Sequence, residues 1–229
     1  MSRYARAALL LIGFLLTHQA SATIVDVIAS KDTFVTQHNG LGGVNSQHGN
    51  DEILYVIGTQ NTGFISTSLV QFDLTGNQND SVVGDGELLL YLTSAWTGAN
   101  ITVSAFGSTT EWDENSTWNT IPGGPLPFGT FQDSQILNFT AQGEGYYGFD
   151  VSQSLIQSWI DNPTGNLGLA ITSGNSDLGH SDIIFASSEN QNGFGPRLVF
   201  NVPAPAGILL LLPGLLLLKR RASKAAINA

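Results

Sequence analysis

The sequence predicts an all-β domain of two packed antiparallel sheets with one short helix. Turn-forming pairs recur at short, even intervals, the runs between them are short and apolar, and no internal repeat of fixed period marks a solenoid or propeller. Asn39-Gly40, Gly42-Gly43, Gly49-Asn50, Asn61-Thr62-Gly63, Gly84-Asp85-Gly86, Pro122-Gly123-Gly124-Pro125, Gly174-Asn175 and Asn192-Gly193 supply the punctuation. Such spacing suits a sandwich better than β-α-β units.

The runs read as strands in order: 24–28, 33–36, 53–57, 67–74, 87–92, 101–106, 135–139, 146–149, 167–172, 183–186 and 197–202. Ser68 to Leu74 alternates only in part, whereas Leu88-Leu89-Leu90-Tyr91-Leu92 is apolar throughout and predicts a strand covered on both faces. Val151 to Asp161 breaks the pattern. There Val151, Leu155, Ile156, Trp159 and Ile160 recur at helical spacing, Asp150 or Ser152 is placed to cap the start, and Asn162-Pro163 stops it, so a helix over about 151–161 is expected, with Trp159 in the core.

The two ends differ from this body. Arg3 and Arg6, the apolar run Ala7 to Leu16 and the small-residue site Ala20-Ser21-Ala22 predict an N-terminal signal helix, a signal peptide over 1–22. Export follows. At the other end Ala206 to Leu218 is apolar and Lys219, Arg220, Arg221 and Lys224 follow it. At ~1.5 Å per residue this run covers roughly 20 Å, a marginal transmembrane helix whose basic flank stays cytoplasmic. With the entry Val202-Pro203-Ala204-Pro205, the segment 202–229 resembles the PEP-CTERM sorting signal of exopolysaccharide-producing Gram-negative bacteria, with Ala204 where Glu stands in the usual Pro-Glu-Pro. The resemblance implies Pro203, Pro205, Arg220 and Arg221 as sorting residues, an exosortase-like processing enzyme as partner, and a cell-surface or matrix destination.

The body, 23–201, carries a second likeness. Asp32-Thr33-Phe34-Val35, Ser68 to Leu74, Glu87 to Leu92, Glu111-Trp112-Asp113-Glu114-Asn115-Ser116-Thr117-Trp118, Phe149-Asp150-Val151, and Phe185 to Glu189 with Pro196-Arg197-Leu198 together resemble the DNRLRE domain, which is similar to carbohydrate-binding module family 96. The likeness implies a jelly-roll sandwich that is not an enzyme and in some members binds polysaccharide. The usual Ser-Arg-Glu of the late strand is here Ser187-Ser188-Glu189.

Aromatic faces stack on the C–H faces of pyranose rings and carboxylates accept from hydroxyls. Trp96, Trp112, Glu114, Trp118 and Tyr147 are therefore the candidate glycan-binding residues. For Trp112 and Trp118 the alternative is that they pin a long connection to the sandwich end with indole N–H groups bonded to backbone. One of Tyr146 and Tyr147 is expected to face outward. Asp32, Asp73, Asp113 and Asp150 are candidate ligands for a structural calcium, an ion that takes six to eight oxygens, with Asn175-Ser176-Asp177 a further loop donor. No nucleophile elbow, phosphate loop or zinc-protease helix occurs. The rival readings are a structural or adhesive surface protein with no sugar site and a polysaccharide-acting enzyme.

Charge sharpens the choice. The 229 residues contain no cysteine, which excludes disulfide staples and thiolate chemistry, and nucleic acid is a poor partner for so acidic a chain. Six of the 8 basic residues lie in the terminal segments, so Lys31 and Arg197 face 18 acids in the body, a formal charge of −16. An anionic polysaccharide is repelled at long range unless salt screens it or divalent cations bridge the two. The expected partner is an extracellular polysaccharide, neutral, or acidic through divalent cations.

Overall fold

The computed structural model describes residues 22–59, 65–95, 100–121, 128–137, 139–174 and 180–204. The expected signal helix, the transmembrane helix, Pro205, Arg220 and Arg221 lie outside these residues, as do Trp96 and the 175–177 loop. Among the described residues no helix is long and apolar enough to cross a membrane.

The described residues form ten strands: β1 (Ala22–Thr36), β2 (Ile53–Thr59), β3 (Ser66–Phe72), β4 (Gly86–Ala95), β5 (Ile101–Ser108), β6 (Phe128–Leu137), β7 (Gly145–Val151), β8 (Leu169–Ser173), β9 (His180–Ala186) and β10 (Arg197–Pro203). They follow one hydrogen-bonded path, β1-β10-β4-β9-β2-β3-β8-β5-β6, with β7 on the free edge of β4 and β1 also pairing β3. The β1–β3, β2–β9, β3–β8, β4–β7, β5–β6 and β5–β8 pairs are antiparallel and the path folds into a sandwich. The predicted strands 24–28 and 33–36 are a single strand. β1 stays continuous because a register shift between Ala29 and Lys31 absorbs the break in alternation.

Between the layers lies one apolar core, including Val70, Phe72, Leu88, Leu90, Leu92, Phe149, Ile171, Phe185 and Phe200. Leu88, Leu90 and Leu92 are fully buried, but Leu89 and Tyr91 are only half-buried, so β4 is covered on one face and not on both. The expected helix is α2 (Gln153–Asp161), following the short α1 (Phe139–Gln142). It begins two residues later than predicted because Val151 closes β7, paired with Gly86. Ile156, Trp159 and Ile160 are its buried face, as the spacing required. Gly86 makes room for it: a Cβ there would stand 2.5 Å from Ile156 Cδ1.

A second, smaller core lies on the outer face of β1, β3 and β8. Val35, Leu69 and Ala170 project outward there and are roofed by Trp112, Trp118 and Ile121 from the connection between β5 and β6.

Candidate functional site

A concavity sits beside that roof. Lys31 of β1 is opposite Gln71 of β3, and both point to the outer face. Glu111 and Trp112 form one wall, and Pro163, Thr164, Asn166 and Leu167, from the turn after α2, form the other, enclosing a cleft of about 400 Å³. A second lobe of about 270 Å³ shares Gln71, Pro163 and Asn166 and adds Ser30, Asp73 and Thr75.

Each wall is fixed by its own bonds. Trp112 Nε1 donates to Leu167 O at 2.9 Å, tying the two walls together. Lys31 Nζ donates to Trp112 O at 2.7 Å and stands 4.5 Å from the centroid of the Trp112 ring. Burial pushes the Lys31 ammonium below its ordinary pKa, and the carboxylates of Asp113 and Glu114 work the other way. Asn166, 4% exposed, donates from Nδ2 to Phe72 O at 2.8 Å and accepts from Gly168 N at 3.0 Å. Gln71 Nε2 donates to Asn166 O. Gly168 has φ +73° and a Cβ would fall 2.1 Å from Val70 O, so this close approach requires glycine. The cleft thus presents an aromatic edge, a cation, a carboxylate and two amides, the Asn166 amide bonded on both its nitrogen and its oxygen.

Of the predicted glycan residues, Trp112 lines this cleft but is 8% exposed, and Trp118 is 6% exposed inside the second core. They cluster with Val35, Leu69 and Ala170, and the Trp112 indole N–H is bonded to backbone, so the two rings pin the connection as the alternative reading had it and do not form an open platform. Glu114 does not line the cleft. Its backbone packs against Gly49, where a Cβ would fall 2.4 Å from Glu114 O, and its carboxylate reaches Lys31 only through its field. Tyr147 is turned inward, half-buried, with its hydroxyl donating to Gly143 O at 2.9 Å. Tyr146 is the outward member of the pair, 40% exposed.

The four candidate calcium ligands occupy four separate places. Asp32 is fully buried inside the sandwich. Asp73 lines the second lobe and accepts from Thr75 N at 2.9 Å, a bond that holds its carboxyl below the usual range. Asp113 caps its own turn, accepting from Asn115 N at 2.9 Å and Ser116 Oγ at 3.3 Å, and Asp150 lies exposed on β7 opposite Glu87. Among the described residues no group of three or more His, Asp or Glu side chains is placed to hold a metal ion, so the expected set does not form a common site. Pro203 closes β10.

Carbohydrate-binding module family 96 matches this sequence over residues 23–202, most of the chain. The chain belongs to that family. No curated protein matches it. Lys31, Gln71, Glu111, Thr164 and Asn166, which sequence reasoning passed over as binding groups, are the polar residues that line the cleft. Lys31 had one signal available, as one of two cations in a body otherwise acidic.

Proposed function

We propose that the chain is a non-catalytic carbohydrate-binding protein, exported and sorted to the surface or extracellular matrix of a Gram-negative cell, on a jelly-roll-like sandwich. The observation that carries the binding reading is the Lys31–Trp112 cleft, walled by aromatic and polar groups, on a family 96 module. A sugar ring seated there meets the Trp112 edge, gives hydroxyl protons to Glu111 and the amide oxygen of Gln71, and accepts from Lys31. The surrounding charge of −16 favours a neutral glycan, or an acidic one bridged by divalent cations.

The test is a glycan array probed with the full chain and with Lys31→Met and Glu111→Ala variants. Binding by the wild type that falls at least tenfold in both variants, with unchanged circular dichroism, supports the cleft; absence of binding to every glycan rejects the module reading. Export and sorting rest on 1–22 and 202–229. Fractionating cells that express Arg220→Ala/Arg221→Ala tests them: retention of full-length protein in the inner membrane is expected, and unchanged surface delivery rejects the sorting reading.

A further inference from the structure

The outer face of the layer formed by β1, β10, β4 and β7 carries a second set of groups that the cleft does not use. Register places Tyr91 opposite Tyr146, Leu89 opposite Gly148 and Glu87 opposite Asp150, with Arg197 on the other side of Leu89. Phe194, from the loop before β10, stacks on Tyr91 with centroids 4.2 Å apart and planes 11° apart. Tyr146 meets Tyr91 edge to face at 5.2 Å and 82°. None of these three rings belongs to either apolar core, although Tyr147, one residue away, packs against the larger one. Core packing therefore does not account for them.

Two polar groups of this face hold each other beside the rings. Arg197 Nε and Nη2 donate to the two oxygens of Asp26, at 3.0 and 2.5 Å, so the guanidinium is fixed in a planar fork. Glu87 lies across Gly148, where a Cβ would stand 1.7 Å from Glu87 Oε1, so the carboxylate rests over the bare backbone of β7. Ile24 and Ile28, 70% and 56% exposed, flank Asp26 on β1.

We propose that Tyr146, Phe194, Arg197, Asp26 and Glu87 form a second polysaccharide-binding surface, taking the C–H faces of sugar rings on the aromatics and their hydroxyls on the paired Asp26 and Arg197 and on the Glu87 carboxylate. The inference rests on the glycan-binding reading above. A neutral polymer fits this face better than a second copy of the chain, because isologous pairing would set the acidic groups of one −16 body against those of another. Asp26 and Lys31 are five residues apart on β1, about 16 Å of extended strand. A long glycan that engages both surfaces gains affinity through effective concentration, whereas a short one occupies a single site.

The experiment titrates full-length wild type, Tyr146→Ala, Tyr146→Phe and Lys31→Met with soluble neutral polymers (dextran, galactomannan and hydroxyethylcellulose) and with tetrasaccharides of the same linkages, and measures sedimentation of each protein alone. Expected are polymer affinity about tenfold lower in Tyr146→Ala, retained in Tyr146→Phe, and tetrasaccharide affinity lost only in Lys31→Met. Wild type that binds polymer while Tyr146→Ala binds it equally overturns this surface and leaves the cleft standing; wild type that binds no glycan overturns both. A wild-type dimer broken by Tyr146→Ala assigns the face to self-association and also overturns the proposal.

Discussion

Asp32 lies fully inside the sandwich, and its carboxyl is pushed up to about 7, first by burial, against the bond from Ser188 N at 2.7 Å and with the neighbouring Glu189 carboxylate adding to the rise. The folded pKa exceeds the unfolded one, so the native state binds the extra proton. Stability contributed by this group is full below pH ~4 and is lost as pH rises through 7. Calorimetry should give a melting temperature that falls between pH 5 and pH 8, and Asp32→Asn should flatten that slope; an equally steep fall in the variant would contradict this account. Trp112 makes the complementary case. Trp112→Ala removes a buried ring and the bond to Leu167, and should cost about 3–5 kcal/mol in urea unfolding, whereas a loss under 1 kcal/mol would mean the roof packs without it. The acidity of Asp32 and the aromatic character of Trp112 were legible in the sequence. The pinning of Trp112 was legible as an alternative, but the direction of Asp32 was not, because one residue of register decides whether an aspartate faces water or core.

At the scale of elements, the strands were legible from turn punctuation and α2 from the spacing of Ile156, Trp159 and Ile160. β1 was not legible as one strand, since the bulge at Ala29 and Lys31 interrupts its alternation. The cleft was hidden for a related reason. Its walls come from residues 31, 71, 111–112 and 163–167, and only the pairing of β1 with β3 and the turn after α2 bring them together. Gly168 holds that turn against β3. Gly168→Ala should destabilise by about 1–3 kcal/mol, from left-handed strain and collision with Val70 O, measured by chemical unfolding. It should also weaken glycan binding by moving Asn166. Full stability in Gly168→Ala would show that the turn shifts freely and that the cleft is not rigid.

For the whole molecule, charge governs which glycans can approach. A body at −16 should bind a neutral oligosaccharide with little dependence on salt, while any acidic polysaccharide should bind only with added calcium or at high ionic strength. Strong calcium-free binding of an acidic polymer that weakens with salt would contradict this. The family was legible because its motifs run the length of the body, and the match over 23–202 covers the same stretch. The most direct test is calorimetric titration of the full chain, wild type and Lys31→Met, with the oligosaccharide that binds best on an array. The account predicts a single saturable site weakened at least tenfold by the substitution, with melting temperature preserved. Equal affinity in the two proteins, or no binding by the wild type, would contradict it.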